Sequence, residues 1–380
     1  AGAATGGDLL VPNEFVAATL VKALGALGRL EEANAVLVRC EAEWGVAPDA
    51  ALCNAVLQAN VRAGDLAMAE AVFRREMPRL GVQPNQRSYN VLIHGYVRAK
   101  RLEDAYALFD RMSQRGLRPD QVTLATLMKG RVRRGELTAA TLLLIKMEDE
   151  YGLTPDVRSY NTLLLGLVRR LRWQEALQLE RLMLQRGVAP DLVTYGHLIA
   201  GLIRARHPLR ALWKYAEMRR RGLQPNAEIY TMVITAHAKR RSVRKAVAVL
   251  KEMKEANVKP TAVTFAAVMD ACLRAGQAAV AVSLFEEVQR SGLPLDVVLY
   301  TLLVRAYGEL GQVGRAFGAL GAMAGAGVRP NLATYNALAE GAARWGHWAR
   351  ALESLDLLLA AGLTPSKATL EALARAPEGG

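Results

Sequence analysis

Eight basic residues recur along this chain at a step of 35 or 36 residues, broken once where Glu309 stands in place of a cation. They are Arg62, Arg98, Arg133, Arg169, Arg204, Lys239, Arg274 and Arg344. A row of cations with a near-constant step matches the phosphates of a nucleic-acid strand better than scattered surface charges do. The chain as a whole is also basic, because 49 Lys and Arg against 36 Asp and Glu give a formal net charge of +13. Such an excess favours a polyanionic partner, with nucleic acid as the first candidate.

No catalytic constellation accompanies these cations. The histidines are scattered along the chain: His94, His197, His207, His237 and His347. They form no H-x-H, H-E-x-x-H or deaminase-type pattern, and no G-x-x-x-x-G-K-[ST] phosphate loop occurs. Cys40, Cys53 and Cys272 make no C-x-x-C pair and are predicted to be buried small hydrophobes in a reducing compartment. We therefore expect no enzyme, no metal site and no cofactor.

An alanine recurs ten times at the same step, and in nine cases a proline follows it after fifteen or sixteen residues. A fixed period of this length indicates stacked supersecondary units that form one quasi-one-dimensional body. Ending each unit at the residue after the proline gives ten units: 14–49, 50–85, 86–120, 121–156, 157–191, 192–226, 227–261, 262–296, 297–331 and 332–366. Residues 1–13 are predicted to be an N-terminal segment or cap, and residues 367–380 a half-repeat cap and tail.

Residues 86–120 show the anatomy of one unit most clearly. Apolar residues recur at i, i+3, i+4 and i+7 from Tyr89 to Tyr96, which predicts an amphipathic helix. A second stripe from Leu102 to Met112 predicts another helix, whose alanine lets the two axes approach closely. A Gly-x-x-Pro sequence then stops the second helix. The sequence therefore predicts an all-α fold, an α-solenoid of about ten helix-turn-helix repeats of 35 or 36 residues.

Each of the eight cations is the thirteenth residue of its unit, at the end of the first helix. A cation there also stabilises the helix C-terminus through the helix dipole, so phosphate binding has a purely structural rival. Stacking nevertheless places one such charge per unit in a row along the body. No run of 18 or more uncharged apolar residues exists, so we expect no membrane span.

Three features together resemble the pentatricopeptide repeat family: Tyr-Asn near the start of a unit, alanine in its second helix and Gly-x-x-Pro-Asp at its end. The residues that carry the resemblance are SYNVLI at 88–93, SYNTLL at 159–164, TYNALA at 334–339, GLRPD at 116–120, GLTPD at 152–156 and GVAPD at 187–191. The resemblance extends over residues 14–366, and the chain is similar to the pure-array P-type. The tetratricopeptide repeat has a shorter period, and its Trp-x-x-Leu-Gly pattern does not recur here. The resemblance implies a right-handed solenoid whose first helices line a concave face.

The resemblance also implies roles for four positions of each unit in binding single-stranded RNA, one base per repeat. The fifth and last residues face the base: Asn54, Asn85, Asn90, Asp120, Asn161, Asp191, Thr301, Asn331, Asn336 and Ser366. The second residue wedges between bases: Val122, Val193, Val263 and Val298. The thirteenth residue faces phosphate and is one of the eight cations.

Taken as pairs, these residues imply a preferred base for five units. The pairs are Asn54 with Asn85 for a pyrimidine, Asn90 with Asp120 and Asn161 with Asp191 for uracil, Thr301 with Asn331 for adenine, and Asn336 with Ser366 for cytosine. The other five units depart from the pattern, because Ala18, Ala125, Gly196 and Ala266 offer no hydrogen-bonding group and Thr231 is paired with Thr261. The implied target is about ten nucleotides of pattern N-Y-U-N-U-N-N-N-A-C, one per unit.

By this resemblance the chain is a soluble protein imported into a chloroplast or mitochondrion, where it governs RNA processing, stabilisation or translation. The five units without a reading pair keep an alternative open, which is a structural RNA-binding subunit of an organellar ribosome or another large ribonucleoprotein or transcription assembly. Its partners would then be ribosomal RNA or proteins of that assembly. A scaffold that binds proteins alone fits the helices but not the row of cations.

Overall fold

The computed structural model describes residues 13–374, and this part of the chain folds only into helices and the turns between them. The first helices of the repeats are α1 (Glu14–Ala26), α3 (Ala50–Ala63), α6 (Gln86–Arg98), α8 (Gln121–Arg134), α10 (Val157–Arg169), α12 (Leu192–Arg204), α14 (Ala227–Lys239), α16 (Ala262–Arg274), α18 (Val297–Glu309) and α20 (Leu332–Arg344). Each therefore begins at or next to the predicted start of its unit and ends at or next to the thirteenth residue.

The second helices follow after short turns. They are α2 (Leu30–Ala42), α4 (Leu66–Ala71) with α5 (Met77–Arg79), α7 (Leu102–Gln114), α9 (Leu137–Asp149), α11 (Trp173–Gln185), α13 (Pro208–Arg220), α15 (Val243–Glu255), α17 (Ala278–Arg290), α19 (Val313–Gly325) and α21 (Trp348–Ala360). A π-helical segment, Val72–Glu76, joins α4 to α5 in unit 50–85, which is one of the three units with 36 rather than 35 residues. A final helix, α22 (Lys367–Leu373), occupies the predicted half-repeat, whereas the predicted cap at residues 1–13 lies almost wholly outside the described residues.

The last residue of every unit is the N-cap of the helix that follows. The ten N-caps are Asp49, Asn85, Asp120, Asp156, Asp191, Asn226, Thr261, Asp296, Asn331 and Ser366, and each side chain accepts a hydrogen bond from the backbone N–H three residues on. These four residue types are the strongest N-caps because their oxygen satisfies a helix N–H that lacks an intrahelical partner. The repeat boundary is thus fixed by a local hydrogen bond.

The turn between the two helices of each repeat passes through the left-handed backbone region at the fifteenth residue. Glycine occupies this position in six repeats, because it adopts positive φ without a steric penalty. The other four repeats place a side chain there: Lys100, Leu171, Arg206 and Arg241, with φ between 53° and 64°. Left-handed backbone costs such residues roughly 1–2 kcal/mol, so these four turns are strained.

Two small positions let the helices pack closely. The recurrent alanine of the second helix is at most 2% exposed in all ten repeats, which confirms its predicted place at the helix contact. The tenth residue of the first helix is also always Gly or Ala. At Gly130, a Cβ would lie 2.6 Å from Leu102 Cδ1 and 3.3 Å from Val97, both in the preceding repeat. Gly341 meets Gly308 with its Cβ position 2.8 Å from the Gly308 Cα, which brings α18 and α20 into backbone contact.

Contacts divide the chain into two compact units. The first comprises residues 1–170 and 178–189, and the second comprises residues 171–177 and 190–380. Within the first, α1, α3, α6, α8 and α10 pack one on the next in chain order. Within the second, α12, α14, α16, α18, α20 and α22 do the same over a continuous buried core that runs from Tyr195 to Leu338. No helix among the described residues has the length and apolar character needed to cross a lipid bilayer.

We predict that Gly130→Val lowers the free energy of unfolding by about 1–3 kcal/mol, because the added methyls overpack against Leu102 and Val97. Gly196 is the matched control, since it is also a glycine inside a first helix but has no atom within 4 Å of its Cβ position. Gly196→Ala should raise the free energy of unfolding by about 0.5–1 kcal/mol through its better helix propensity. Urea unfolding followed by helical circular dichroism measures both, and equal effects would contradict close packing at the tenth residue.

Candidate nucleic-acid interface

The eight predicted phosphate contacts all lie on the surface. Arg62, Arg98, Arg133, Arg169, Arg204, Lys239, Arg274 and Arg344 are each exposed at the end of a first helix. Among the described residues, only Arg274 pairs with a carboxylate, since its Nε lies 2.8 Å from Asp270 Oδ2. The other seven cations are therefore not neutralised by an ion pair with any described acid.

Two of these cations also close the helix of the repeat before them. Arg98 Nη1 donates to the carbonyl oxygens of Arg62 at 2.8 Å and Val61 at 3.3 Å, and Lys239 Nζ donates to Ile203 O at 3.0 Å. The last carbonyls of a helix have no intrahelical partner, so a cation at that end satisfies them. Arg98 and Lys239 therefore do stabilise a helix C-terminus, but it is the C-terminus of the first helix in the preceding repeat.

The first of the two compact units concentrates positive charge between α6, α8 and α10. The pKa of His94 is lowered, first by burial and then by the charges of Lys129, Arg98 and Arg133. A cavity of about 420 Å³ between α8 and α10 is lined by four cations, Lys129, Arg133, Arg169 and Arg170, and by no acid. This combination attracts an anionic group and leaves His94 uncharged at neutral pH.

The second residue of each unit points into solvent. Val122, Val193, Val263 and Val298 are 49–65% exposed, although valine is one of the residues most often buried in proteins. Phe15 occupies the same position in the first repeat, 14–49, and is 78% exposed. Sequence reasoning did not single out Phe15, and its second position in unit 14–49 is the signal that identifies it. The aromatic ring gives that unit a flat apolar surface on which a base can stack.

The fifth and last residues come together directly in two units. Asn54 Nδ2 donates to Asn85 Oδ1 at 3.2 Å, and Asn90 Nδ2 donates to Asp120 Oδ1 and Oδ2 at 3.1 and 3.0 Å. Thr123, the third residue of the next unit, donates its hydroxyl to Asn90 Oδ1. Because the carboxylate of Asp120 can only accept, it fixes the Asn90 amide with its NH₂ group toward Asp120 and its Oδ1 toward Thr123.

In unit 297–331 a third residue joins the fifth and last residues. Thr301 Oγ1 donates to Val297 O at 2.6 Å and meets Thr334 Oγ1 at 2.8 Å, and Thr334 in turn bonds Asn331. Thr301 and Asn331 are thus linked through Thr334.

In the last unit, Ser366 bonds Thr369, and Thr369 donates to Glu340 Oε1 at 3.1 Å. The Oδ1 atom of Asn336 is buried without a hydrogen-bond partner. Glu340 was not singled out from the sequence, and it brings a carboxylate beside this pair. The remaining pair is Asn161 with Asp191. Asn161 is buried in the first compact unit, and Asp191 caps α12 in the second compact unit.

The first helices α16, α18 and α20 carry a balanced set of charges. Arg305 lies 3.6 Å from Asp270 and 3.2 Å from Glu309, so the acid that replaces the thirteenth cation is itself paired. A cavity of about 470 Å³ between α18 and α20 is lined by Arg305, Glu309, Glu340 and Arg344 together with Thr301 and Asn336. No group of three His, Cys, Asp or Glu side chains within residues 13–374 could hold a metal ion.

Comparison with known proteins identifies the family. The matching family models are described as the PPR repeat family at residues 48–98, 85–133 and 155–204, the pentatricopeptide repeat domain at 215–274 and 283–341, and the PPR repeat at 193–223 and 263–293. Together these ranges extend over 48–133 and 155–341, more than half of the chain. The chain therefore belongs to the pentatricopeptide repeat family. No curated protein sequence matches it.

Solved structures support the same fold. The pentatricopeptide repeat protein PPR10 from maize matches with a TM-score of 0.59 and 22% identity over 96% of this chain and 56% of that chain. PPR10 in complex with an 18-nt psaJ RNA element matches with a TM-score of 0.65 and 22% identity over 95% of this chain and 57% of that chain. The predicted all-α repeat array is confirmed, and the chain spans just over half the length of these solved chains.

We predict that Asp120 combines two separable roles. Asp120→Ala removes the N-cap of α8 and should lower the free energy of unfolding by about 1 kcal/mol. Asp120→Asn keeps an oxygen that can cap the helix, so stability should change by only a few tenths of a kcal/mol, while the charge facing Asn90 is lost. Thermal unfolding of the two variants measures the difference. An equal loss of stability in both would show that the carboxylate charge, rather than the cap, stabilises this boundary.

Proposed function

We propose that this protein binds single-stranded RNA along its first helices and has no catalytic activity of its own. The observation that carries the proposal is the row of thirteenth-residue cations, all exposed and seven of them without a carboxylate partner. Solvent-exposed cations gain little by remaining unpaired on a folded protein, whereas each one that meets a phosphate releases a counterion. Membership of the pentatricopeptide repeat family supports this reading, as does the likeness to PPR10, which was solved with an RNA element.

The other positions give the proposed interface its chemistry. The exposed valines and Phe15 would stack between bases, and the fifth and last residues would face the base edges. In the third unit, Asp120 Oδ2 can accept the N3–H of uracil, while the NH₂ group of Asn90 can donate to a carbonyl oxygen. We extend this to a target of about ten nucleotides with the pattern N-Y-U-N-U-N-N-N-A-C, one base per repeat.

We further propose that the protein acts in a chloroplast or mitochondrion by occlusion. An array that coats a strand blocks nucleases or opens a competing hairpin, and so governs RNA processing, stability or translation. The organellar setting rests on the family, because the described residues carry no address of their own.

A second candidate function is a structural RNA-binding subunit of an organellar ribosome or another large ribonucleoprotein. It is favoured by the fifth residues Ala18, Ala125, Gly196 and Ala266, which offer a base edge nothing to hydrogen-bond. Crosslinking in cells followed by sequencing of the bound RNA separates the two. One site on one transcript supports the free factor, and a patch of ribosomal RNA supports the subunit.

We predict that the triple variant Arg62→Glu, Arg133→Glu and Arg169→Glu strongly weakens binding to a U-rich single strand of this pattern. Arg98 is left unchanged because it closes α3 through two carbonyls. Fluorescence anisotropy at several salt concentrations measures the effect, and neutralising three contacts should make the salt slope shallower by about 2.

The matched control reverses the charge of three exposed cations at the second helices of the same compact unit. They are Arg75, Arg111 and Arg115. It changes the net charge by the same amount and should retain most of the affinity. If both triple variants lose affinity equally, binding follows net charge and the row has no special role.

We predict that Gly196→Asn creates a reading pair with Asn226, like that of Asn54 with Asn85. The Cβ position of Gly196 has no atom within 4 Å, so a side chain fits there. A pyrimidine at the sixth nucleotide should then be preferred roughly two- to tenfold, the equivalent of one hydrogen bond. Gly196→Ala is the control, because it adds a side chain without a hydrogen-bonding group. Binding to a set of RNAs that differ only at that nucleotide tests the prediction, and an unchanged preference in both variants would overturn it.

A further inference from the structure

The most basic segment of the described chain is the turn between α14 and α15. Five of its seven residues are cations: Lys239, Arg240, Arg241, Arg244 and Lys245. All five are exposed, and none is paired with a carboxylate among the described residues. We refer to residues 239–245 as the basic turn. Only Lys239 belongs to the thirteenth-residue row, so the other four charges have no role in the interface described above.

Two features of the basic turn oppose folding. Arg244 and Lys245 lie in the first turn of α15, where the positive end of the helix dipole repels cations. The equivalent turns of α2 and α7 carry acids, such as Glu103 and Asp104 in α7, and those of α13, α19 and α21 carry a single arginine each, so two cations together distinguish α15. Arg241 also holds a side chain at φ 53°, in the left-handed position where six repeats have glycine. Local rules broken without a stabilising contact usually mark a functional site.

The charge of the basic turn is continued by the preceding repeat. Lys239 Nζ donates to Ile203 O at 3.0 Å, so the end of α14 lies against the end of α12, where Arg204 and Arg206 are exposed. No Asp or Glu occurs between Asp191 and Glu217 or between Glu228 and Glu252. The pKa of His237 is lowered, first by burial and then by the charges of Lys245 and Arg240, which lie on either side of the turn.

The composition of the surface indicates which polyanion fits it. Residues 239–245 contain no aromatic side chain on which an unpaired base could stack, and Ser242 is the only uncharged polar residue. A surface of cations without base-reading groups suits a nucleic acid whose bases are already paired and whose phosphates face outward.

We propose that the basic turn, with Arg206 beside it, binds the phosphates of a double-stranded RNA stem of the same transcript, folded back beside the single strand on the row. The identity of the polyanion as RNA rests on the proposed function, because the patch is continuous with Arg204 and Lys239 of the thirteenth-residue row. The protein would thereby recognise a single strand together with an adjoining stem, and the stem would add affinity without adding sequence information.

The test compares three RNA probes: the single strand of the pattern given above, the same strand joined to a short hairpin, and the hairpin alone. The wild-type protein should bind the joined probe roughly tenfold tighter than the strand alone. The quadruple variant Arg240→Gln, Arg241→Gln, Arg244→Gln and Lys245→Gln should lose this gain and keep its affinity for the strand. Its salt slope on the joined probe should be shallower by about 3 to 4, close to one unit per cation removed.

A second quadruple variant controls for net charge within the same unit. It replaces Lys251, Lys259, Arg290 and Arg329, all exposed, with glutamine and should keep the gain from the hairpin. Equal binding of the joined and unjoined probes by the wild-type protein would overturn the inference and leave the proposed function intact. If the wild-type protein binds no single strand at all, the proposed function fails instead.

Two further measurements test the basic turn separately from the thirteenth-residue row. The single variant Arg241→Gly should raise the melting temperature, because glycine relieves the left-handed strain, while it weakens binding of the joined probe. Binding to phosphatidylserine vesicles is measured in parallel. Loss of vesicle binding in the first quadruple variant, with binding of the joined probe unchanged, would assign the basic turn to a membrane surface and overturn the inference.

Discussion

The hydrogen bond between the last residue of one repeat and the backbone of the next first helix is the interaction on which this structure depends. It recurs at all ten repeat ends, from Asp49 to Ser366. It satisfies a helix N–H that would otherwise lack a partner and sets where each first helix begins. Because the thirteenth residue is counted from that beginning, the N-cap also fixes the position of every cation in the row. Helix start, repeat register and charge spacing therefore share one cause.

Much of this architecture follows from the sequence, since it rests on local patterns. The two apolar stripes, the recurrent alanine and the Gly-x-x-Pro stop predicted two helices in each repeat, and the alanine is buried in every repeat. Features that depend on how neighbouring repeats stack were not predictable in this way. The donation from Arg98 to carbonyls of α3 and the bond from Thr369 to Glu340 join residues 29 to 37 positions apart, and no periodic pattern encodes them. Phe15 was missed because only its position, and not its residue type, matches the valines.

Some repeats carry unpaired cations in positions that destabilise the fold, whereas others pair their cations with acids. The turns after α6, α12 and α14 keep Lys100, Arg206 and Arg241 in left-handed backbone, and Arg244 and Lys245 face the positive end of a helix dipole. The helices α16 and α18 instead pair Arg274 and Arg305 with Asp270 and Glu309, which removes most of their net charge. Affinity for a polyanion grows with the number of unpaired cations, so under the proposed function the repeats with unpaired charges would hold a phosphate backbone more strongly than those with ion pairs.

The N-cap also explains how one position could serve both folding and the base recognition that we propose for it. Ser, Thr, Asn and Asp cap a helix with similar strength, and the ten repeat ends use these four types and no others. Their outer faces differ, however: a carboxylate only accepts hydrogen bonds, an amide both donates and accepts, and a hydroxyl can do either. A change within this set therefore alters the hydrogen-bonding pattern presented beside the fifth residue at little cost in stability. A residue without a capping group, such as alanine, would lose this hydrogen bond and lower the free energy of unfolding by about 1 kcal/mol. If these positions read bases as proposed, a surface that varies from repeat to repeat is built on a position whose folding role favours residues with hydrogen-bonding groups.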